Sequence, residues 1–180
     1  MTLEEFDQLF GIFTSTAFHL ETHPFYAVEE EDDGLLRAFR EGLPRPERSV
    51  RTSPWLRRIA VTTAAGKHWS RVHVIEHPLS EYLQAQLLAY VESQAAGEEI
   101  RLADRGVYPE LSELGPDSWL FDPGAFGAFG VLLHFDVEGR LLDIERVNSS
   151  AGVRELERQR QVAWDRSVSL AVYLATHKVA

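Results

Sequence analysis

Lys67-His-Trp-Ser-Arg-Val-His-Val-Ile-Glu76 runs through Pro78 into a helical stretch ending near Ala95, and the chain returns at Glu98-Glu-Ile-Arg-Leu-Ala-Asp104. The middle stretch carries the strongest periodicity of the chain. Leu79, Tyr82, Leu83, Leu87, Tyr90 and Val91 share one helical face, Ser80, Glu81, Gln84 and Glu92 lie away from it, and Gly97 stops it. A strand, a helix and a second strand of these lengths form a crossover that joins parallel neighbours. The segment therefore commits the chain to an α/β layer, although it names no chemistry.

Working outward, Leu3, Phe6, Leu9, Phe10 and Phe13 form a helical stripe behind Thr2, a candidate N-cap, and Thr16–Glu21 reads as extended. An acidic run, Glu29–Asp33, suits the start of a short helix that ends at Gly42. Pro44, Pro46 and Pro54 mark a linker, so residues 1–53 read as an N-terminal helical and extended appendage and residues 54–180 as the α/β core. A helix from Pro54 to Ala65 follows, with Ser53 before it and Gly66 after it. Ser118-Trp-Leu-Phe-Asp122 reads as a short strand halted by Pro123-Gly124, and Gly130–Asp136 with Arg140–Val147 as a hairpin turning at Gly139. A long helix is expected from the Asn148-Ser-Ser150 cap cluster to about Thr176. The expected fold is a single mixed β-sheet with flanking helices, combining the βαβ unit, the hairpin and that last helix.

The totals exclude more than they assign. The 180 residues, 44% hydrophobic and 26% charged, suit one globular domain. There is no cysteine, which removes disulfides, thiolate catalysis and zinc–thiolate sites. No apolar run reaches the roughly 18 residues of a membrane span, so a soluble, cytoplasmic protein is expected. The net charge of −10 argues against a general nucleic-acid binder. It is unevenly spread: the window Arg37–Arg71 is +7 and the remainder −17. Either the window's arginines pair with the acidic remainder, or they form a site for a phosphate or an acidic partner.

Several residues invite a functional reading. His19, Glu21 and His23 alternate along an extended segment and share a face, a pattern able to hold a divalent metal. Such ligands normally come from separate elements and Pro24 limits the strand, so a polar strand face near a turn is the preferred reading and no metal is expected. His68 and His73 lie five apart on opposite strand faces, and His77 precedes Pro78, so those three do not converge on a metal. Asp122 ends a buried strand, and α/β sheets bind ligands at strand carboxyl ends. Arg71 and Arg101 would project toward it and form a polar cluster for a phosphate, a carboxylate or a partner side chain; the alternative is a turn aspartate in a structural ion pair. Gly-x-Ser-x-Gly, Gly-x-Gly-x-x-Gly and P-loop patterns are absent, and Gly124, Gly127 and Gly130 approach a hairpin rather than a helix. No cofactor is implied.

Ala17-Phe-His-Leu-Glu21, Trp69–Tyr82, Ala96-Gly-Glu-Glu-Ile-Arg101 and Ser118-Trp-Leu-Phe-Asp122, in that order, resemble a family of small actinobacterial proteins of unknown function, often encoded beside helix-turn-helix regulators. The resemblance spans nearly the whole chain. It implies an accessory or regulatory protein, with a helix-turn-helix regulator or an acidic small molecule as partner, and Glu21, Arg71, Tyr82, Arg101, Trp119 and Asp122 fall within its phrases. A looser similarity is to the phospholipase D-like fold, whose His-x-Lys signature is missing: none of the seven histidines has lysine two residues on. The expected function is thus non-catalytic and regulatory, with an enzyme acting on a phosphorylated or acidic small molecule as the alternative, Asp122 or Glu21 being its general base.

Overall fold

The computed structural model describes residues 1–27 and 30–177, without the side chains of residues 30–33. The expectation about the acidic run Glu29–Asp33 therefore lies outside the described residues. In chain order the elements are α1 (Leu3–Ile12), β1 (Thr16–Glu21), α2 (Glu30–Glu41), α3 (Pro54–Ala64), β2 (His68–Ile75), α4 (Glu81–Ala96), β3 (Glu98–Asp104), β4 (Asp117–Phe121), β5 (Phe129–Phe135), β6 (Leu141–Val147), α5 (Ser150–Asp165), β7 (Ser167–Ser169) and α6 (Leu170–Thr176). The strands form one mixed sheet in the order β6-β5-β4-β1-β2-β3-β7. The βαβ unit is β2-α4-β3, a parallel pair, and β1 adds in parallel on the other side of β2. β5 and β6 form the expected hairpin.

Local chemistry sets the helix ends. Thr2 and Glu5 form a reciprocal capping box on α1, Ser53 caps α3 ahead of Pro54, and Ser80, Ser149 and Ser169 each accept a backbone N–H at the start of α4, α5 and α6. Gly97 closes α4 with φ 112°, a left-handed conformation that a side chain resists. Gly130 serves packing instead. A Cβ there would sit 2.1 Å from a Leu156 methyl, so its bare backbone lets α5 lie directly on β5.

Strand alternation gives the sheet two unlike faces. Phe18, Leu20, Val72, Val74, Ala103 and Leu120 face α5 and its Val153, Leu156 and Ala163. On the other face, Trp69, Trp119, Phe121 and Phe129 pack with Phe10 and Phe13 from the α1 end and Leu56 and Ile59 of α3. Farther along that face, Ile75, Ile100 and Leu102 meet Leu83, Leu87 and Tyr90 of α4 and Leu170 and Tyr173 of α6. α4 also contacts α2 and α3, so its buried surface wraps past the expected stripe to Ala85 and Ala89, while Val91 turns outward.

Two expectations change. Residues 1–53 do not form an appendage, because β1 lies inside the sheet, bonded to β2 on one side and β4 on the other. The Pro-rich linker merely connects helices. The long last helix is broken: Ser167–Ser169 leave the helix to pair antiparallel with β3, covering its edge, and Ser169 then starts α6. Edge pairing satisfies β3 backbone groups that a continuous helix would leave open.

The position of β1 is fixed by the two aspartates that bound β4. Asp122, at φ 50°, accepts from the backbone N–H groups of Thr14, Ser15 and Thr16 and from the hydroxyls of Thr14 and Ser15, at 2.7–3.0 Å. Asp117 accepts from the N–H groups of Thr22 and His23, the Thr22 hydroxyl and the Tyr26 hydroxyl. One carboxylate thus holds the segment entering β1 and the other the segment leaving it. Burial raises the Asp122 carboxyl, but the backbone donors of Thr16, Thr14 and Ser15 outweigh it and bring it down to about 2. Its stabilising effect is complete above the ordinary carboxyl range near 3.8 and disappears as pH falls through about 2. Asp122→Asn keeps a side chain tolerant of positive φ but turns an amide toward donors that need an acceptor. It should lower unfolding stability at pH 7 by about 2 kcal/mol and flatten the fall in stability between pH 4 and 2, as read by urea titration at several pH values.

Candidate functional site

The polar half of the α4-facing sheet surface is built around Arg71. β2 is the middle of three parallel strands, and Arg71 aligns with His19 on β1 and Ile100 on β3. Glu21 and Glu98 are therefore its diagonal neighbours on the same face, one on each flanking strand. Arg71 Nη1 donates to Glu21 at 2.9 Å and Nε to Glu98 at 2.9 Å. The Tyr90 hydroxyl of α4 donates to Glu21 at 2.7 Å and stands 2.7 Å from His73 Nδ1. Since its one proton goes to Glu21, the hydroxyl accepts from His73, which fixes the hydrogen on Nδ1. The Arg71 guanidinium also lies 5.2 Å from the centre of the Tyr90 ring.

The electrostatics follow from burial and pairing. Burial alone would raise the Glu21 carboxyl, but Arg71, then His73 and His19, hold it well below the usual carboxylate range. Burial would weaken the Arg71 cation, and Glu21 with Glu98 keeps it firmly charged. His19 is lowered to about 3, chiefly by burial, with Glu21 opposing and Arg71 adding to the effect. It is a neutral ring stacked on Trp119 at 4.1 Å and 10°. Neither of its nitrogens has a hydrogen-bond partner among the described residues, and Nδ1 stands 4.0 Å from a Glu21 carboxylate oxygen.

Arg71 reaches outward as well as inward. A cleft of about 580 Å³ lies between α2, the 46–55 segment, α3 and α4, with Arg71 on its lining. Leu35 and Leu36, Trp55, and Tyr82, Ala85 and Ala89 supply its helical walls. Arg48 lines it too, donating to the Ala89 carbonyl and the Ser93 hydroxyl beside Glu92. Elsewhere in the basic window Arg37, Arg40, Arg45, Arg51 and Arg58 pair with Glu41, Glu81, Glu92, Glu47 and Asp7, whereas Arg57 and Lys67 donate to backbone carbonyls.

The structure joins some of the expected residues and separates others. Glu21 and Arg71 are in contact, and Tyr82 lines the cleft with Arg71. Arg101 does not converge with them. It is one residue out of phase with Ile100 and Leu102, so it points to the α5 face, where it binds Ser167 and covers the Trp164 ring at 4.7 Å. Asp122 is also apart: β4 runs antiparallel to β1, which puts its carboxyl end beside the start of β1 rather than beside the ends of the parallel strands. Trp119 lies within the aromatic core and meets the cluster through His19, whose ring stacks on it.

The histidines divide too. His23 leaves the line of His19 and Glu21 because β1 ends at Glu21, and its ring nitrogens face the carbonyls of Phe25 and Asp136. His68 pairs with Glu99 and His77 with Asp104, while His73 is fully buried. Among the described residues no group of three or more His, Asp or Glu side chains is placed to hold a metal.

Glu98, Tyr90, His73, Trp55 and Arg48 escaped sequence reasoning as site residues. A usable signal did exist. Trp69, Arg71, His73 and Ile75 share one face of an otherwise apolar strand, and polar groups on a buried face require partners. Which acids supplied them depended on the strand order.

A seven-stranded mixed α/β sheet, with a buried ionic cluster opening on a cleft between helices, defines the architectural class. Residues 4–175 match the domain of unknown function DUF6879, and the chain belongs to that family. Comparison with curated proteins gives no match, and comparison with solved structures gives none. Among the described residues no helix is long and apolar enough to cross a membrane.

Two substitutions test the cluster. Arg71→Met leaves two buried carboxylates without their cation and should cost about 3–5 kcal/mol in a urea titration, whereas adding Glu21→Gln and Glu98→Gln should recover much of that loss. His19→Phe removes a ring that the unfolded chain protonates near 6.5 and the folded chain only near 3. The wild type should thus lose stability as pH falls through that interval. The variant should lose less, by roughly 3 kcal/mol at pH 4 in matched urea titrations.

Proposed function

We propose that this protein is a non-catalytic accessory protein that binds a small ligand in the cleft between α2, α3 and α4. The observation that carries this reading is the placement of a nine-tenths-buried cation, Arg71, on the lining of a 580 Å³ cleft whose walls mix aromatic and aliphatic side chains with polar ones. That volume lies within the range of small-molecule sites, where apolar surface and a few fixed polar groups share the lining. The resemblance to proteins encoded beside helix-turn-helix regulators supplies the context of the proposal: ligand occupancy is passed to such a regulator, with the protein itself making no contact with nucleic acid.

The enzyme alternative finds less support. Glu21 and Asp122, its two expected general bases, are both held below the usual carboxylate range and are fully engaged by other groups. A general base works best with a pKa near the operating pH. The phospholipase D-like resemblance enters this reading only as architecture, because the His-x-Lys signature is missing.

A thermal-shift screen of metabolites should yield ligands that raise the melting temperature, since a ligand at 100 times its Kd stabilises by about 2.7 kcal/mol. Gln86 lines the cleft from a partly exposed position on α4. Gln86→Trp should therefore fill the space and abolish those shifts while the unliganded melting temperature stays within a few degrees. Shifts that survive Gln86→Trp place the ligand elsewhere and overturn the proposal.

A further inference from the structure

We infer that the cleft selects an uncharged, planar ligand that offers a hydrogen-bond acceptor to Arg71, rather than an acid. This rests on the cleft being a ligand site. Among the described residues, each charged side chain on its lining has an opposite charge beside it. Glu47 pairs with Arg51, Arg48 shares Glu92 with Arg45 at 3.8 and 3.6 Å, and Arg71 holds Glu21 and Glu98 at 2.9 Å each. Arg71 is thus one cation between two carboxylates. An anionic ligand would bring a third negative group to a single positive one, in a region too buried for water to screen the repulsion.

A cationic ligand is excluded for a different reason. Among the described residues the lining carries Arg71 but neither Glu21 nor Glu98, and its one carboxylate, Glu47, is paired with Arg51. A cation entering the cleft would meet the guanidinium before it met either carboxylate. What Arg71 has left to give is hydrogen bonding. Its Nε and Nη1 are committed to the two acids, and Nη2 has no acceptor among the described residues. A carbonyl or ring-nitrogen acceptor satisfies that group without adding charge.

The walls specify the rest of the molecule. Ala85 and Ala89 are four residues apart on α4, so their small side chains make a smooth strip on one helical face. Trp55 from α3 and Tyr82 from α4 add aromatic surface, and Leu35 and Leu36 of α2 add an aliphatic border. Flat apolar surfaces favour a flat apolar body, and aromatic rings favour stacking or edge contact with another ring. An aryl or heteroaryl carboxamide has all three properties: planarity, neutrality and a carbonyl acceptor.

A fluorinated fragment library built as matched benzamide, benzoate and benzamidinium series, screened against the full chain by ¹⁹F NMR, reads this selection directly. Benzamides should dominate the hits, with the matched benzoates and benzamidiniums weaker by about tenfold or more. All hits should vanish with Gln86→Trp. Glu98→Gln removes one of the two negative charges behind Arg71 and should narrow the benzamide-to-benzoate ratio by about tenfold. Benzoates or benzamidiniums that equal or exceed benzamides at the wild-type cleft overturn the inference and leave the site standing. Hits indifferent to Gln86→Trp, or no hits in any series, overturn the site and the inference together. If Glu98→Gln fails to fold, the wild-type ranking decides alone.

Discussion

The clamping of β1 by the two aspartates that bound β4 is the constraint on which the rest of the structure depends. β1 is where the sheet changes from parallel pairing with β2 to antiparallel pairing with β4. A one-residue slip there would turn His19 and Glu21 to the α5 face and Phe18 and Leu20 into the ionic cluster. Asp122 prevents it at one end by gathering the donors of Thr14, Ser15 and Thr16, and Asp117 at the other by holding Thr22, His23 and Tyr26. The strand is short, so fixing both ends fixes its register.

With that register set, Glu21 falls diagonal to Arg71, and the polar cluster becomes possible. A buried ion pair is weak evidence for stability, because desolvation offsets much of the attraction. Here the arrangement has a consequence beyond stability. It keeps a cation on the lining of the cleft while balancing it from behind, the feature on which the proposed ligand reading rests.

Much of the fold was legible in local patterns. The β2-α4-β3 crossover, the β5-β6 hairpin and the Thr2, Ser53 and Gly97 helix ends all follow from periodicity and capping, which depend on near neighbours in the chain. The C-terminal break was harder to read, since Ser167-Val-Ser169 becomes a strand only because β3 presents an open edge to it. The supposed appendage failed for the same reason: Thr16–Glu21 carries no mark of being central until β2 and β4 close on it. Of the candidate site, Glu21, Arg71 and Tyr82 belong together, but Arg101 and Asp122 were grouped with them without knowledge of strand phase or direction.

Composition and spacing alone determined an α/β chain without cysteine chemistry, without the common nucleotide and hydrolase motifs, and with several polar residues on strands that must be buried. Tertiary structure decided which of those residues meet. Arg71 and Arg101 lie on adjacent parallel strands, yet they point to opposite sides of the sheet, because their positions differ by one residue relative to the shared register. Side-chain direction alternates with every residue, whereas strand order and registry are set by contacts far apart in the chain, and so proximity in space could not be read from proximity in sequence.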